Sequence, residues 1–525
     1  MFSKAWLLLF CCLGSPVLAA PAKTEECQPI AVEFSREQLF DETEQPFYFF
    51  HRWANSLHIY TQQQTLINES NWYLSQCNLT DPQLAEWERK LRKLRYIEHA
   101  RIEQDKKNRK ILITTTDNWS LLPTLDFSRK GGQNRYAIGL KERNFIGRGI
   151  ELELKFFEDA RRSGFIVDTA IPHLLHNNSK LGMRFADNDD GQQTALLLHK
   201  TFASNADTYA YQLAYHKNER IDTLFHNDDD EYEYGHDIRS YLLRYDWLAE
   251  HQDEKLFRLG LGYQFDRHQF FVVEQNTPPF LPTDRQLAYP FISFEYERQN
   301  YQEMSDIYNI NAIEDINMGW RLNGRIGLSD GQDENSTESV WQLTSNTFLP
   351  IGEYSYLALS AAVDFHQNQR QDRFRGHFNI ELFLPISAQW KLYFKNQSDF
   401  SDNEYLDQIV TLGGNNGLRG YPIQYQHGQE SYLFSVEGRY YPNINIWRLF
   451  DVAGVIFYDR GKASGSTDLD NIETGWLDSL GFGVRLYSPH FAGDARVIHL
   501  DLAYALSAND EVKGLEFRLL TRTHF

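Results

Sequence analysis

The stretch Gly514-Leu515-Glu516-Phe517-Arg518-Leu519-Leu520-Thr521-Arg522-Thr523-His524-Phe525 decides the fold. Its odd positions carry Leu515, Phe517, Leu519, Thr521, Thr523 and Phe525, while Glu516, Arg518, Leu520, Arg522 and His524 alternate with them. A period of two sends the two sets to opposite faces of a strand, one greasy and one charged. A strand of this kind closing on an aromatic fits the interface girdle of a transmembrane β-barrel.

Working outward, the same alternation recurs through the chain. Ile150, Leu152, Leu154 and Phe156 alternate with Glu151, Glu153 and Lys155, and Tyr209, Tyr211, Leu213 and Tyr215 repeat the pattern. Ile498, Leu500, Leu502, Tyr504 and Leu506 face one way, His499 and Asp501 the other. Repetition over residues 118–525 predicts an all-β transmembrane barrel, and direct counting finds about 20 segments. Aromatics make up 14% of the chain, yet the mean hydropathy is only -0.54. Barrel strands produce that balance, because only alternate residues face lipid. The sequence has no apolar run long enough for a membrane helix.

The opposite end reads as an export signal, residues 1–19: Lys4, the apolar run Ala5 to Cys12, then Gly14-Ser15-Pro16-Val17-Leu18-Ala19. Cleavage is expected after Ala19. Cys11 and Cys12 lack the small residues that precede a lipidated cysteine. Cys27 and Cys77 would survive processing, and an oxidising compartment permits a disulfide between them, although spacing alone cannot show their separation.

Residues 20–117 differ in character. Ile30 to Phe34 reads as a short strand, and a helix is expected within 46–70. Asp81-Pro82 marks a helix start, with Asp81 as N-cap. Leu84, Trp87, Leu91 and Leu94 then follow at helical spacing. Strands follow at Tyr96 to Ile102 and Ile111 to Thr116, joined by the basic turn Lys106 to Lys110. The result is a small α+β domain.

Composition and motifs narrow the chemistry. A net charge of -20 argues against nucleic acid, which requires a basic face. The acidic clusters Asp187-Asn188-Asp189-Asp190 and Asp228-Asp229-Asp230-Glu231 read as exposed loops. No nucleophile elbow, phosphate loop or zinc-spaced cysteine–histidine set occurs, so no catalytic residue, metal or cofactor is assigned. His499 and Asp501 read as polar lumen lining. The Asn-x-Ser/Thr matches at Asn68 and Asn335 carry no weight.

The most specific motif is Gly413-Gly414-Asn415-Asn416-Gly417-Leu418-Arg419-Gly420-Tyr421-Pro422, within an inserted loop spanning 403–428. A guanidinium on a glycine-flanked loop can enter a barrel only if its charge finds partners. Glu437 in Phe434-Ser435-Val436-Glu437-Gly438-Arg439 and Asp459 in Phe457-Tyr458-Asp459-Arg460-Gly461 are the candidates. Arg419 is expected to pair with Asp459, Glu437 or both. The first strand, Leu121 to Arg129, carries Pro123 and runs into Gly131-Gly132. It predicts a weak seam against Gly514 to Phe525, with Leu125, Phe127, Phe517 and Leu519 among its residues.

These motifs resemble the BamA/TamA superfamily of outer-membrane proteins, with detail at residues 80–147 and 410–525. The stretch from Leu91 to Ile97 and on to Pro123 looks like the end of a periplasmic POTRA domain entering its barrel. The loop is similar to the family's lumen-inserted loop, locked through Arg419, Gly420, Tyr421, Glu437, Asp459 and Gly461, with four strands after it. The resemblance implies a 16-stranded barrel, fewer than the direct count. It also implies an assembly signal at Gly514, Phe517, Leu519 and Phe525, with Val512 where a polar residue is usual.

By resemblance, the protein inserts proteins into the outer membrane or moves them across it. Its partners would be unfolded periplasmic clients, outer-membrane lipid and lipopolysaccharide, and the barrel assembly machinery for its own insertion. A passive diffusion channel and a two-partner secretion transporter are the alternatives.

Overall fold

The computed structural model describes residues 31–522 except 38–51, 53, 54, 57, 77, 78, 106–109, 119, 160, 176, 177, 203–206, 227, 228, 253, 274–277, 279, 280, 331–336, 370, 447–449, 466–474, 488–496, 508–511 and 513. The export signal, Cys27, Cys77 and Phe525 lie outside the described residues.

The N-terminal domain places β1 (Ala31–Glu37), α1 (Gln63–Leu74), α2 (Asp81–Arg92), β2 (Ile97–Asp105) and β3 (Lys110–Asp117) in chain order. Its sheet runs β1-β3-β2, with β1 parallel and β2 antiparallel to the central strand. The helix expected within 46–70 has its described core at 63–74. Thr80, not Asp81, is the N-cap of α2. The Gln83 side chain accepts the Thr80 N–H at 2.9 Å, while Asp81 puts its charge in the first turn, where the helix dipole favours it. Trp87 is wholly buried among Leu66, Leu91, Ile111 and Ile113. Its ring stacks on Tyr73 at 5.1 Å, and its N–H donates to Ser70 Oγ at 2.8 Å.

Residues from Leu121 onward close into a barrel of 20 strands. The direct count is therefore the one that forms, and the 16 implied by resemblance does not. Closure removes the exposed edges that an open sheet would present, except along the junction of the first and last strands. Outward positions carry Leu243, Leu261, Ile292, Leu328, Ile456 and Phe482, all exposed. Inward neighbours on the later strands, such as Ser435, Glu437, Asp459 and Arg485, are buried inside.

Odd-numbered barrel strands run away from the N-terminal domain, from a proximal to a distal mouth. The eighth, Asp229–Gln252, has 24 residues, against the roughly 10 a tilted strand needs to cross a bilayer. It belongs to a tall wall of three long strands. The acidic stretches expected as exposed loops belong to hairpins, with Asp189 and Asp190 forming a turn and their described neighbours in strands. Asp187 and Asn188 end the fifth strand, Asp189 accepts the Ser163 N–H, and Asp229 begins the eighth strand.

The domain sits against the barrel's first proximal turn. Gln62 N–H and Thr65 Oγ both donate to Gly147 O, at 2.8 and 2.9 Å. Asn144 Nδ2 donates to Thr61 Oγ1 at 2.9 Å. His173 Nε2, from the next proximal turn, lies 2.9 Å from the Glu69 carboxylate.

Candidate functional site

The loop between barrel strands Trp390–Asp402 and Glu430–Ile446 enters the lumen from the distal mouth. Its stem is a two-stranded ladder of Val410–Leu412 against Gln426–Gly428. Gly414 N–H bonds Pro422 O and Leu418 N–H bonds Gly413 O, which folds the tip into a compact turn. Gly420 has φ +90, a conformation that disfavours any side chain. It lies against Ser479, Ala503 and Ala505 of the wall.

Arg419 is almost completely buried. Its Nε and Nη2 donate to the two oxygens of Asp459, both at 2.6 Å, and Nη1 donates to Glu437 Oε1 at 2.8 Å. The guanidinium also lies 3.5 Å above the Phe457 ring. Asp459 is wholly buried, so its charge is compensated almost entirely by this one arginine. Two-point bonding to one carboxylate and a third bond to another spend the donor fork on fixed acceptors.

Tyr421 is fully buried, and its hydroxyl donates to Asp478 O at 2.9 Å. Gly461 underlies the loop, because a Cβ there would come within 2.9 Å of Leu412. Five strands follow the loop, not four. One of them, Leu477–Tyr487, contains Gly481 and Gly483 in its interior, which weakens the alternation that marks a strand.

The seam is thin. Among the described residues, the first barrel strand (Leu121–Lys130) and the last (Leu515–Arg522) pair at a single position, Leu519 with Arg129. On its other side the first strand pairs along ten positions. Phe517 and Phe127 are both exposed outward, with Phe127 tilted against Tyr136, ring centres 5.2 Å apart. Leu125 pairs through its backbone with Ile138. Gly514 O accepts the Ala505 N–H at 3.0 Å, and Val512 is buried in the apolar cluster around Tyr421 and Leu418. That packing accounts for an apolar residue at a position expected to be polar.

Glu516 was not among the residues singled out from sequence. One carboxylate oxygen accepts Gly132 N–H at 3.1 Å, and the other accepts Gly420 N–H at 3.0 Å. A single side chain on the last strand thus joins the turn after the first strand to the tip of the loop. Arg518 adds a bond from Nη2 to Gly414 O at 2.9 Å. Gly131 and Gly414 pack so closely that a Cβ on Gly414 would meet Gly131 Cα at 2.7 Å. The available signal was an acid on the inward parity of a strand whose outward face is apolar.

A second insert enters from the proximal mouth. The connection between the tenth and eleventh barrel strands forms a hairpin, Tyr301–Ser305 with Ile313–Asn317. It folds inward, with Ile310 fully buried against Tyr441, Val455, Phe457 and Val497. Lys391 Nζ donates to Ser305 O and Asp306 O, and Tyr308 donates to Glu381 at 3.1 Å. Glu437 stands between the inserts: Oε1 holds Arg419, and Oε2 accepts Arg439 Nε at 2.9 Å. Arg439 in turn reaches Ile307 O at 3.5 Å. His499 and Asp501 face the lumen; Asp501 pairs with Arg485 at 2.6 Å. A cavity of about 240 Å³ lies between loop, hairpin and wall, lined by Tyr308, Glu381, Asn415, Arg419 and Asp501 among others.

No family model matches the chain, and no curated protein sequence does. Among solved structures, the chain is similar to BamA from Haemophilus ducreyi lacking POTRA domains 1–3, at 13% identity and a TM-score of 0.42, over 94% of this chain and 84% of that one. It is also similar to CdiB from Acinetobacter baumannii, at 10% identity and TM-score 0.44 over 88% and 72%. CdiB from Escherichia coli is similar at 10% identity and TM-score 0.46, over 94% and 76%.

Proposed function

We propose that this protein is an outer-membrane barrel of the BamA/TamA type that handles unfolded polypeptide at the seam between its first and last strands, inserting it into the membrane or passing it across. The observation that carries this reading is the thin seam, paired at one position among the described residues, backed from inside by a loop whose charge is locked to the wall. A strand pair joined at one position separates at far lower cost than neighbours joined along seven or more, and each freed backbone group then offers a bond to an incoming strand. The apolar outward face supports lipid contact and a place in the outer membrane. The last strand would be read by the barrel assembly machinery when this chain is itself inserted.

The N-terminal domain is proposed as a POTRA-like module in the periplasm. Its strand β2 has no strand partner on the side away from β3 among the described residues; there Glu88 accepts the Ile102 N–H and Arg92 donates to Ala100 O, and a client that displaced these two side chains would add as a strand. The domain rests on the proximal turn beside the first strands, so a captured segment is delivered close to the seam. A passive diffusion channel requires an open lumen, whereas here the distal loop holds Glu437 through Arg419 and the proximal hairpin reaches Arg439, the other partner of Glu437.

Site-specific photocrosslinking in cells tests the proposal, from Leu125 and Phe127 on the first strand and Arg101 on β2. Capture of unfolded barrel precursors supports insertion, and capture of a secreted chain supports translocation. If only lipid and the protein's own last strand are captured while purified protein conducts ions steadily, the channel reading replaces this one.

A further inference from the structure

The tall wall carries inward polar residues that the seam and its lock do not use. Asp222, His236, His268 and Arg285 come from four successive barrel strands, and Asp407 comes from the first residues of the lumen loop. His236 is buried, and its Nδ1 lies 2.8 Å from Asp222 Oδ2. Its Nε2 lies 2.9 Å from His268 Nδ1. A ligand nitrogen from each histidine and a carboxylate oxygen of Asp407 lie within 4.8 Å of one another.

We propose that His236, His268 and Asp407 form a site for a divalent transition metal ion of the zinc class, which clamps the base of the lumen loop to the barrel wall. The tautomer logic favours it. An Nδ1–H directed at Asp222 leaves the lone pair of His236 on Nε2, aimed at His268. Carboxylate, imidazole and ion in line is the arrangement by which proteins orient a metal-ligating histidine and raise its basicity. Two imidazole nitrogens and one carboxylate oxygen suit zinc, with a fourth position left for water from the lumen.

Spreading the two rings from their present contact to the separation of neighbouring zinc ligands takes a movement of only a few tenths of an ångström, to roughly 3.3 Å between nitrogens at zinc–nitrogen distances. Both carboxylates at the site already have an arginine partner. Arg220 pairs with Asp222 at 2.8 Å, and Arg285 holds both oxygens of Asp407, at 2.8 and 2.7 Å. Each carboxylate oxygen has two lone pairs, so Asp407 can give one to the ion and keep Arg285 on the other.

The loop base already rests here through apolar contact. Leu406 and Ile409 pack against Leu224, Tyr234 and Phe270, and Phe270 stacks on His236 at 4.4 Å. Two ligands on the wall and one on the loop mean that the bound ion resists withdrawal of the loop. The inference stands apart from the reading of the seam, since metal binding is measured without any client.

The test uses purified full-length protein in detergent, titrated with Zn2+ against a chromophoric chelator. One ion per chain is expected. His236→Ala and His268→Ala should each weaken binding by more than tenfold, and Asp222→Asn, which removes the charge that orients His236 and pairs with Arg220 but no proposed ligand, by about tenfold. His377→Ala, a lumen histidine paired with Asp399 elsewhere, should leave the affinity unchanged. Absence of a saturable site, or equal affinity in the His268→Ala chain, would overturn the proposal. Should an alanine chain fail to fold as a barrel, Co2+ bound to the unaltered protein decides. Intense visible bands of a four-coordinate ion support the site, and the weak spectrum of a six-coordinate aquo ion refutes it.

Discussion

Replacing Arg419 with alanine should release the loop, and the structure sets the scale. The change removes three side-chain hydrogen bonds and the contact with Phe457. Glu437 keeps Arg439 at 2.9 Å, so only Asp459 is orphaned, left with the backbone N–H of residue 419 at 3.4 Å. Breaking a buried pair by deleting one partner costs about 3–5 kcal/mol. With one of two carboxylates still paired, the lower figure applies, and about 3 kcal/mol raises the population of the open loop roughly a hundredfold.

Ser479 reports that opening. It is fully buried beneath Gly420, and its hydroxyl has no hydrogen-bond partner among the described residues, so cysteine replaces it at little cost. With the chain's other cysteines changed to serine, Ser479→Cys should react with a hydrophilic maleimide about a hundred times faster in the Arg419→Ala background, provided reclosing outpaces labelling. Arg419→Lys, which keeps the charge but loses the fork, should fall between. If both variants fold as barrels and the labelling rate does not move, the ion pair is not what holds the loop.

Other outcomes follow from the same contacts. Glu516→Ala frees Gly132 and Gly420 from one acceptor; hydrogen bonds to a charged group are worth about 1.5–3 kcal/mol each. Disulfide trapping between cysteines at 129 and 519 should therefore lose yield, and an undiminished yield would deny Glu516 its role at the seam. Deleting residues 301–317 together with Arg419→Ala should raise single-channel conductance by more than the two changes do separately, because the loop and the hairpin are joined through Glu437 and Arg439. Strictly additive conductances would mean that the inserts close independent paths. Trp87→Ala should cost the N-terminal domain about 3–5 kcal/mol and lower its melting transition by calorimetry while the barrel transition stays in place; a shared shift would mean that the two unfold as one unit.

Much of this molecule is legible in local pattern. The alternation from Ile150 to Phe156 and from Ile498 to Leu506 records which face of each strand meets apolar surroundings, because side chains reverse at every residue. That is enough to predict a barrel and the inward parity of Glu437 and Asp459. A lone arginine among glycines likewise carries its requirement for buried carboxylates in its own chemistry. The N-cap of α2 was off by one position, since Thr80 and Asp81 are both capping residues and only the backbone geometry separates them.

What local pattern cannot carry is the register at which distant strands meet. Gly132 and Glu516 are 384 positions apart, yet one hydrogen bond joins them. The hairpin at 301–317 reads as an ordinary turn until its Ile310 is seen filling a gap lined by Phe457 and Val497. His236, His268 and Asp407 come from three separate elements with no shared motif. Closure at 20 strands rather than 16 is a property of the whole ring, because strand number, tilt and shear must agree together. Periodicity is written residue by residue and survives in any fragment; seam, inserts and ligand cluster exist only once the ring has closed and its opposite walls face each other.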